Sequence, residues 1–229
     1  MFSFFLAQEI VLSRIIKQVF PPDLLFSLLY IPYFWFVLDF SVIILAAGNS
    51  QRMRRSKILL PFDNQLRFID QLVQQYLLAG VQHIYVVSQV ESLPLSVEAH
   101  VNWIQNKHPE KGRAWSIYLA LPFISSKAPV FIQNIDNPFS DHKLISRMMD
   151  SYKPDHIVFP LYDEKKGHPL LLPSSWICKM LQMDFKTFDF REGLANFPCK
   201  YLPWKDKKIR ANINTVEDYQ HWFHQPLYP

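Results

Sequence analysis

Glycine is scarce in this chain: five residues among 229, against seventeen prolines. Each glycine is therefore expected where a side chain does not fit. Cysteine is scarcer still, with Cys178 and Cys199 alone. They are far apart and form no CxxC pair, so two reduced thiols in a cytoplasmic protein are expected rather than a disulfide framework or a thiolate metal site. There is also no long run of one charge. Lys and Arg number 24 against 20 Asp and Glu, and they are scattered. That excludes a nucleic-acid-binding surface from the expectations, while a small anionic substrate needs only a few local cations. No apolar run reaches the roughly 20 residues that span a bilayer; the longest, 24–38, is interrupted by Pro32. No basic start leads into an apolar run with a small-residue cleavage site, so no secretory signal is expected. Neither the P-loop spacing nor GxGxxG is present.

What the chain does have is apolar mass, 49% of its residues, enough for a large core. It divides in two. Residues 1–40 contain no glycine and are rich in Phe, Leu, Ile and Tyr. The first twenty fit an amphipathic helix with Gln8, Arg14 and Lys17 among its polar positions, stopped by Pro21 and Pro22. Three readings stay open for this stretch. It packs on the following domain as extra helices, it contacts a membrane surface, or it precedes a true start near Leu38.

Residues 41–229 read as one α/β domain. Ser41–Leu45 is a short β-branched apolar run followed at once by Ala46-Ala47-Gly48, which predicts a buried parallel strand and a tight turn. Residues 66–79 carry apolar side chains at helical spacing, with Gly80 at the C-terminal cap. Strands are predicted at 84–87, 129–133, 156–159 and 170–172, and helices at 113–124, 143–152 and 215–223. Thr215 is expected to cap the last helix. Alternation of this kind gives an α/β class with a mostly parallel sheet.

Ligands of such sheets bind beyond the C-terminal strand ends. The first loop there runs Leu45-Ala46-Ala47-Gly48-Asn49-Ser50-Gln51-Arg52-Met53-Arg54-Arg55-Ser56-Lys57. Its small residues allow a ligand to approach the backbone amides, Ser50 adds a hydroxyl, and Arg52 and Lys57 suit a polyphosphate. Gly48 is expected to tolerate no side chain. A solvated basic loop would have the same composition.

The whole stretch resembles LAAGxSxRMGxxKxLLPF, the opening signature of the MobA-like nucleotidyltransferase family. Leu45, Ala46, Ala47, Gly48, Ser50, Arg52, Met53, Lys57, Leu59, Leu60, Pro61 and Phe62 stand in place. Further segments are similar in order along the chain: Asn106, Gly112, Ser116 and Ile117; a strand ending in Asp136-Asn137-Pro138; Gly167-His168-Pro169; and Asn212-Ile213-Asn214-Thr215 followed by Glu217-Asp218. Ala46-Ala47 and Gly-His-Pro are closest to the molybdenum-cofactor cytidylyltransferase branch.

The resemblance implies a Rossmann-like three-layer α/β/α nucleotidyltransferase fold. It implies transfer of an NMP from an NTP, CTP first, to a phosphorylated acceptor such as molybdopterin, with release of pyrophosphate. Leu45, Ala46, Ala47, Gly48, Ser50, Arg52, Lys57 and Ser116 would bind the nucleotide. Arg52, Lys57 and Asp136 would carry catalysis, Asp136 with Asn212 or Asn214 would hold Mg²⁺, and Gly167 and His168 would face the acceptor. Two alternatives remain: a sugar- or polyol-phosphate acceptor, and a nucleotide-binding relative with weak or no catalysis. The second gains from departures in the pattern. Arg54 replaces a glycine, Asn64 or Gln65 replaces another, and Asn137 stands where Gln is commoner. If position 54 needs a positive φ, arginine there costs roughly 1–2 kcal/mol.

Overall fold

The computed structural model describes residues 39–81, 83–96, 101–125, 127–184 and 189–227. The expectations for residues 1–38 lie outside them. Among the described residues, no helix is long and apolar enough to cross a membrane. Phe40 already belongs to the domain: it is 7% exposed and its ring packs on Phe131 and Tyr152.

Among the described residues, eight strands form one sheet: β1 (Ser41–Leu45), β2 (His83–Ser88), β3 (Val101–Gln105), β4 (Val130–Asn134), β5 (Ile157–Tyr162), β6 (Lys165–Lys166), β7 (Leu170–Leu172) and β8 (Cys199–Pro203). The order is β3-β2-β1-β4-β7-β5-β6, with β8 also paired to β5. The β1–β2, β1–β4, β2–β3 and β5–β8 pairs are parallel, whereas β7 is antiparallel to both neighbours. The sheet is thus mixed but mostly parallel. Leu45 is level with Val87 on one side and Asn134 on the other. The chain leaves β1 towards β2 and returns through β4 on the opposite side, so a crevice opens between the ends of β1 and β4.

Strand alternation builds the two outer layers. Val42 and Ile44 face a core with Phe68, Leu72 and Val73 of α1 (Phe68–Leu78), Leu144 and Met148 of α3 (His142–Asp150), and Tyr219 of α6 (Val216–Phe223). Ile43 points the other way, to Ile117 and Ala120 of α2 (Gly112–Ala120), Trp176 and Met180 of α4 (Ser174–Leu181), and Phe190 of α5 (Phe190–Ala195). This two-sided burial explains why β1 is apolar at consecutive positions rather than alternate ones.

Local signals set the helix ends. Gly80, with φ of 87°, closes α1: its N–H donates to Leu77 and that of Val81 to Tyr76, the paired bonds of a left-handed C-terminal cap. Thr215 caps α6 through Asp218 N–H, and the Asp218 carboxylate returns two bonds to Asn214 and Thr215 N–H. The turn at 63–66 is built by Asp63, whose carboxylate accepts from Gln65 and Leu66 N–H. Asn64 is not among the positive-φ residues, so no glycine-like backbone is needed there.

Candidate active site

The β1–α1 loop is wound into two short 3₁₀ turns, Gln51–Met53 and Lys57–Leu59. Met53 and Ile58 anchor it in the core, at 1% and 3% exposure. Between these anchors Arg54, Arg55 and Ser56 face outward. Ser50 and Arg54 both adopt left-handed backbone, with φ of 45° and 55°. The glycine missing at 54 is therefore a conformational loss, and Arg54 stands at a strained position.

Lys57 is turned back towards the sheet. Its Nζ donates to Asn214 Oδ1 at 2.6 Å and lies 3.6 Å from Asp136 Oδ2. Burial lowers its pKa, opposed by the attraction of Asp136. Asp136 is fixed from two sides: Ile135 N–H donates to Leu45, and the Asp136 carbonyl accepts from Ile213 N–H. Its Oδ1 is buried without a hydrogen-bond partner. An unpaired buried carboxylate oxygen is costly unless a cation or donor meets it.

These groups border a cavity of about 240 Å³ at the β1–β4 crevice. Leu45, Ala47, Gly48, Ser50, Lys57, Ser116 and Asp136 all line it. Ser116 is held by Asn106 Nδ2 at 3.0 Å, which ties two segments of the sequence pattern together. Ala46 faces away, into the packing around α1 and a separate hollow beside Ser88 and Gln89. Arg52 is exposed and does not line the cavity, although its charge acts on Lys57 and Asp218. Asn212 is exposed, whereas Asn214 reaches Lys57. The expectation for Gly48 needs correcting. A Cβ there would meet nothing within 4 Å, and its φ is not left-handed, so the protein itself does not exclude a side chain.

A second cavity, of about 540 Å³, takes in Gly167, His168, Phe159, Lys166, Phe190 and Arg191. Gly167 is required sterically: a Cβ would fall 2.6 Å from the Ile209 side chain and 2.8 Å from its carbonyl oxygen. His168 N–H donates to that same carbonyl at 2.7 Å. The His168 pKa is lowered to about 4, first by burial and then by the charge of Arg113, so the ring is neutral at pH 7. Its Nδ1 is buried without a partner. Lys166 sits 4.4 Å from the Phe159 ring centre, an aromatic support for its charge.

Arg113 escaped the sequence reading, and Asn137 was read only as a departure from the family pattern. Asn137 is fully buried, and its Nδ2 donates to Lys208, Ile209 and Ala211 carbonyls at 3.1, 3.1 and 2.6 Å. It pins the returning segment that carries Ile209 and Asn214. Arg113 opens α2 and stacks 5.0 Å from the Phe190 ring centre. It lay inside a recognised segment, between Gly112 and Ser116, but nothing local set it apart from a solvated helix cation.

Solved structures share this fold. Rv0371c from Mycobacterium tuberculosis superposes with a TM-score of 0.66 at 18% identity, covering 81% of this chain and 98% of that one. A nucleotidyl transferase from Methanothermobacter thermautotroptrophicus gives 0.64 at 17%, covering 80% and 95%. A manganese complex of Rv0371c gives 0.63 at 16%, covering 82% and 99%. No functionally curated protein matches the chain in sequence. The MobA-like NTP transferase domain matches residues 42–194, and with the loop, strand tip and crevice described above the chain belongs to that family.

Proposed function

We propose that this protein transfers a nucleoside monophosphate, CMP in the first instance, from an NTP to a phosphorylated small molecule and releases pyrophosphate. The reading rests on one observation above all: Lys57 and Asp136, remote in sequence, lie 3.6 Å apart at a cavity bordered by the 45–50 loop and Ser116. Nucleotidyl transfer asks a protein mainly for positioning and for charge placed where the transition state needs it. The backbone of 45–50 lies open to phosphates, and the empty space over Gly48 is room for a ligand. Lys57 supplies the cation beside the departing pyrophosphate. Arg52 adds a second, exposed cation at the loop's outer side.

A divalent cation fits the donor set. Asp136 offers a hard oxygen that lacks a protein partner, and Asn214 shares Lys57 with it. Asp136, with Asn214, would hold Mg²⁺, which would neutralise phosphate charge. A manganese complex of a structural relative supports a divalent ion of this kind.

The acceptor is assigned to the second cavity. Its cations Arg113, Lys166 and Arg191 suit a phosphorylated molecule, and Asp189, the one acid among its described lining residues, accepts from Arg191 and Glu192 N–H as a helix cap. A neutral His168 offers hydrogen bonding without charge. Molybdopterin is the first acceptor to try, from the Ala46-Ala47 and Gly-His-Pro pattern.

The test is pyrophosphate release with Mg²⁺, each NTP, and a panel of molybdopterin, sugar phosphates and polyol phosphates. Release with CTP and molybdopterin is expected. Release only with a sugar phosphate would move the acceptor assignment. Triphosphate binding without turnover on any acceptor would overturn the enzymatic reading.

A further inference from the structure

Among the described residues, Arg113 alone borders both cavities. It is exposed to them, yet enough protein surrounds the guanidinium to depress its pKa, with Asp136 opposing and Arg191 adding to the effect. Phe190 backs it at 5.0 Å, which limits where the planar fork can point. Its charge reaches Asp136 on one side and His168 on the other.

We propose that Arg113 is a catalytic residue that bridges the two reacting phosphates, one fork on the α-phosphate of the NTP and the other on the acceptor phosphate. This rests on the nucleotidyl-transfer reading above. In that reaction an acceptor phosphate oxygen forms a bond to the α-phosphorus, and the bond from that phosphorus to the bridging oxygen breaks. Pyrophosphate leaves with the electron pair. Two anions must come into contact before anything else happens, and their repulsion is the main obstacle to approach. Lys57 borders only the first cavity, and Lys166 and Arg191 only the second. A bidentate cation in the shared wall meets both anions at once.

The experiment compares wild type, Arg113→Lys and Arg113→Met, each checked for folding by thermal melting. With NTP and acceptor saturating, Arg113→Met is expected to lose about 10²–10³ in kcat, the scale of one preorganised charge donor. Arg113→Lys, which keeps the charge and the fold, should fall by about tenfold, and NTP binding without acceptor should shift by less than about threefold. A second readout needs no turnover. Inorganic phosphate is titrated into protein with and without a non-hydrolysable NTP analogue. Arg113→Met should weaken phosphate binding to the nucleotide-loaded protein about tenfold more than to the free protein. Equal weakening in both states, or kcat kept within about threefold in either variant, overturns the bridge while leaving nucleotidyl transfer intact. A wild-type protein that binds no triphosphate overturns the functional reading itself, and the bridge with it.

Discussion

The two cavities are built in opposite ways. The cavity proposed for the nucleotide takes Leu45, Ala47, Gly48, Ser50 and Lys57 from one continuous loop and the rest of its wall from 109–116 and 134–136. The acceptor side is gathered from α2, β5, the β6–β7 connection and α5, with Ile209 wedged behind it. A local loop can be read from its own residues, because its turns and amides are set by neighbours in sequence. A wall assembled from distant segments depends on packing that no local pattern encodes. The two sides therefore differ in what a mutation should disturb: ligand binding on the first, the fold as well on the second.

The largest effect is expected at Lys57. Lys57→Ala removes the cation and leaves Asp136 unpaired, so steady-state assays should show kcat reduced about 10²–10³, or roughly 2.7–4 kcal/mol. A loss confined to KM would mean that Lys57 only binds substrate.

Next comes His168, in the second cavity. Its pKa is depressed from 6.5 to about 4, so the native state resists the proton that the unfolded chain accepts. The associated stability is complete above about pH 6.5 and declines as pH falls towards 4. The loss amounts to about 3 kcal/mol by then. Denaturant midpoints at pH 7 and pH 4.5 should show it, and His168→Gln should flatten that slope. An unchanged slope in His168→Gln would put the proton elsewhere.

The two glycines give the sharpest contrast. Gly167→Ala should destabilise the fold by about 1–3 kcal/mol, because Ile209 must move. Gly48→Ala should leave stability within about 0.5 kcal/mol and instead weaken nucleotide binding. Urea titrations and nucleotide calorimetry on both variants would test the pair, and equal stability losses would erase the distinction. The smallest effect is at Arg54, whose left-handed backbone suits glycine: Arg54→Gly should raise stability by about 1 kcal/mol.

The sequence made the sheet legible where strands are buried on both faces, as in β1, β2 and β4, and the loop legible through its small residues and paired cations. β3 and β8 went unread for a physical reason. Their residues are mostly half-buried or exposed, so neither a continuous apolar run nor clean alternation appears. Helices α4 and α5 are short, eight and six residues, and offered too few turns of periodicity. On the site, Asp136 was readable as a strand-tip carboxylate, but the outward turn of Arg52 and the packing of Ala46 on the α1 side were not. The first depends on how Met53 and Ile58 seat the loop. Arg113 was hidden because its importance lies in Phe190 and His168, each more than fifty positions away.

Asn137 carries a consequence for anyone exchanging parts among such proteins. One amide clasps three carbonyls of the segment that brings Ile209 to Gly167 and Asn214 to Lys57. A graft meant to change acceptor preference by moving 165–168 alone would arrive without its backing. The transplantable unit is 136–137, 165–168 and 207–214 together.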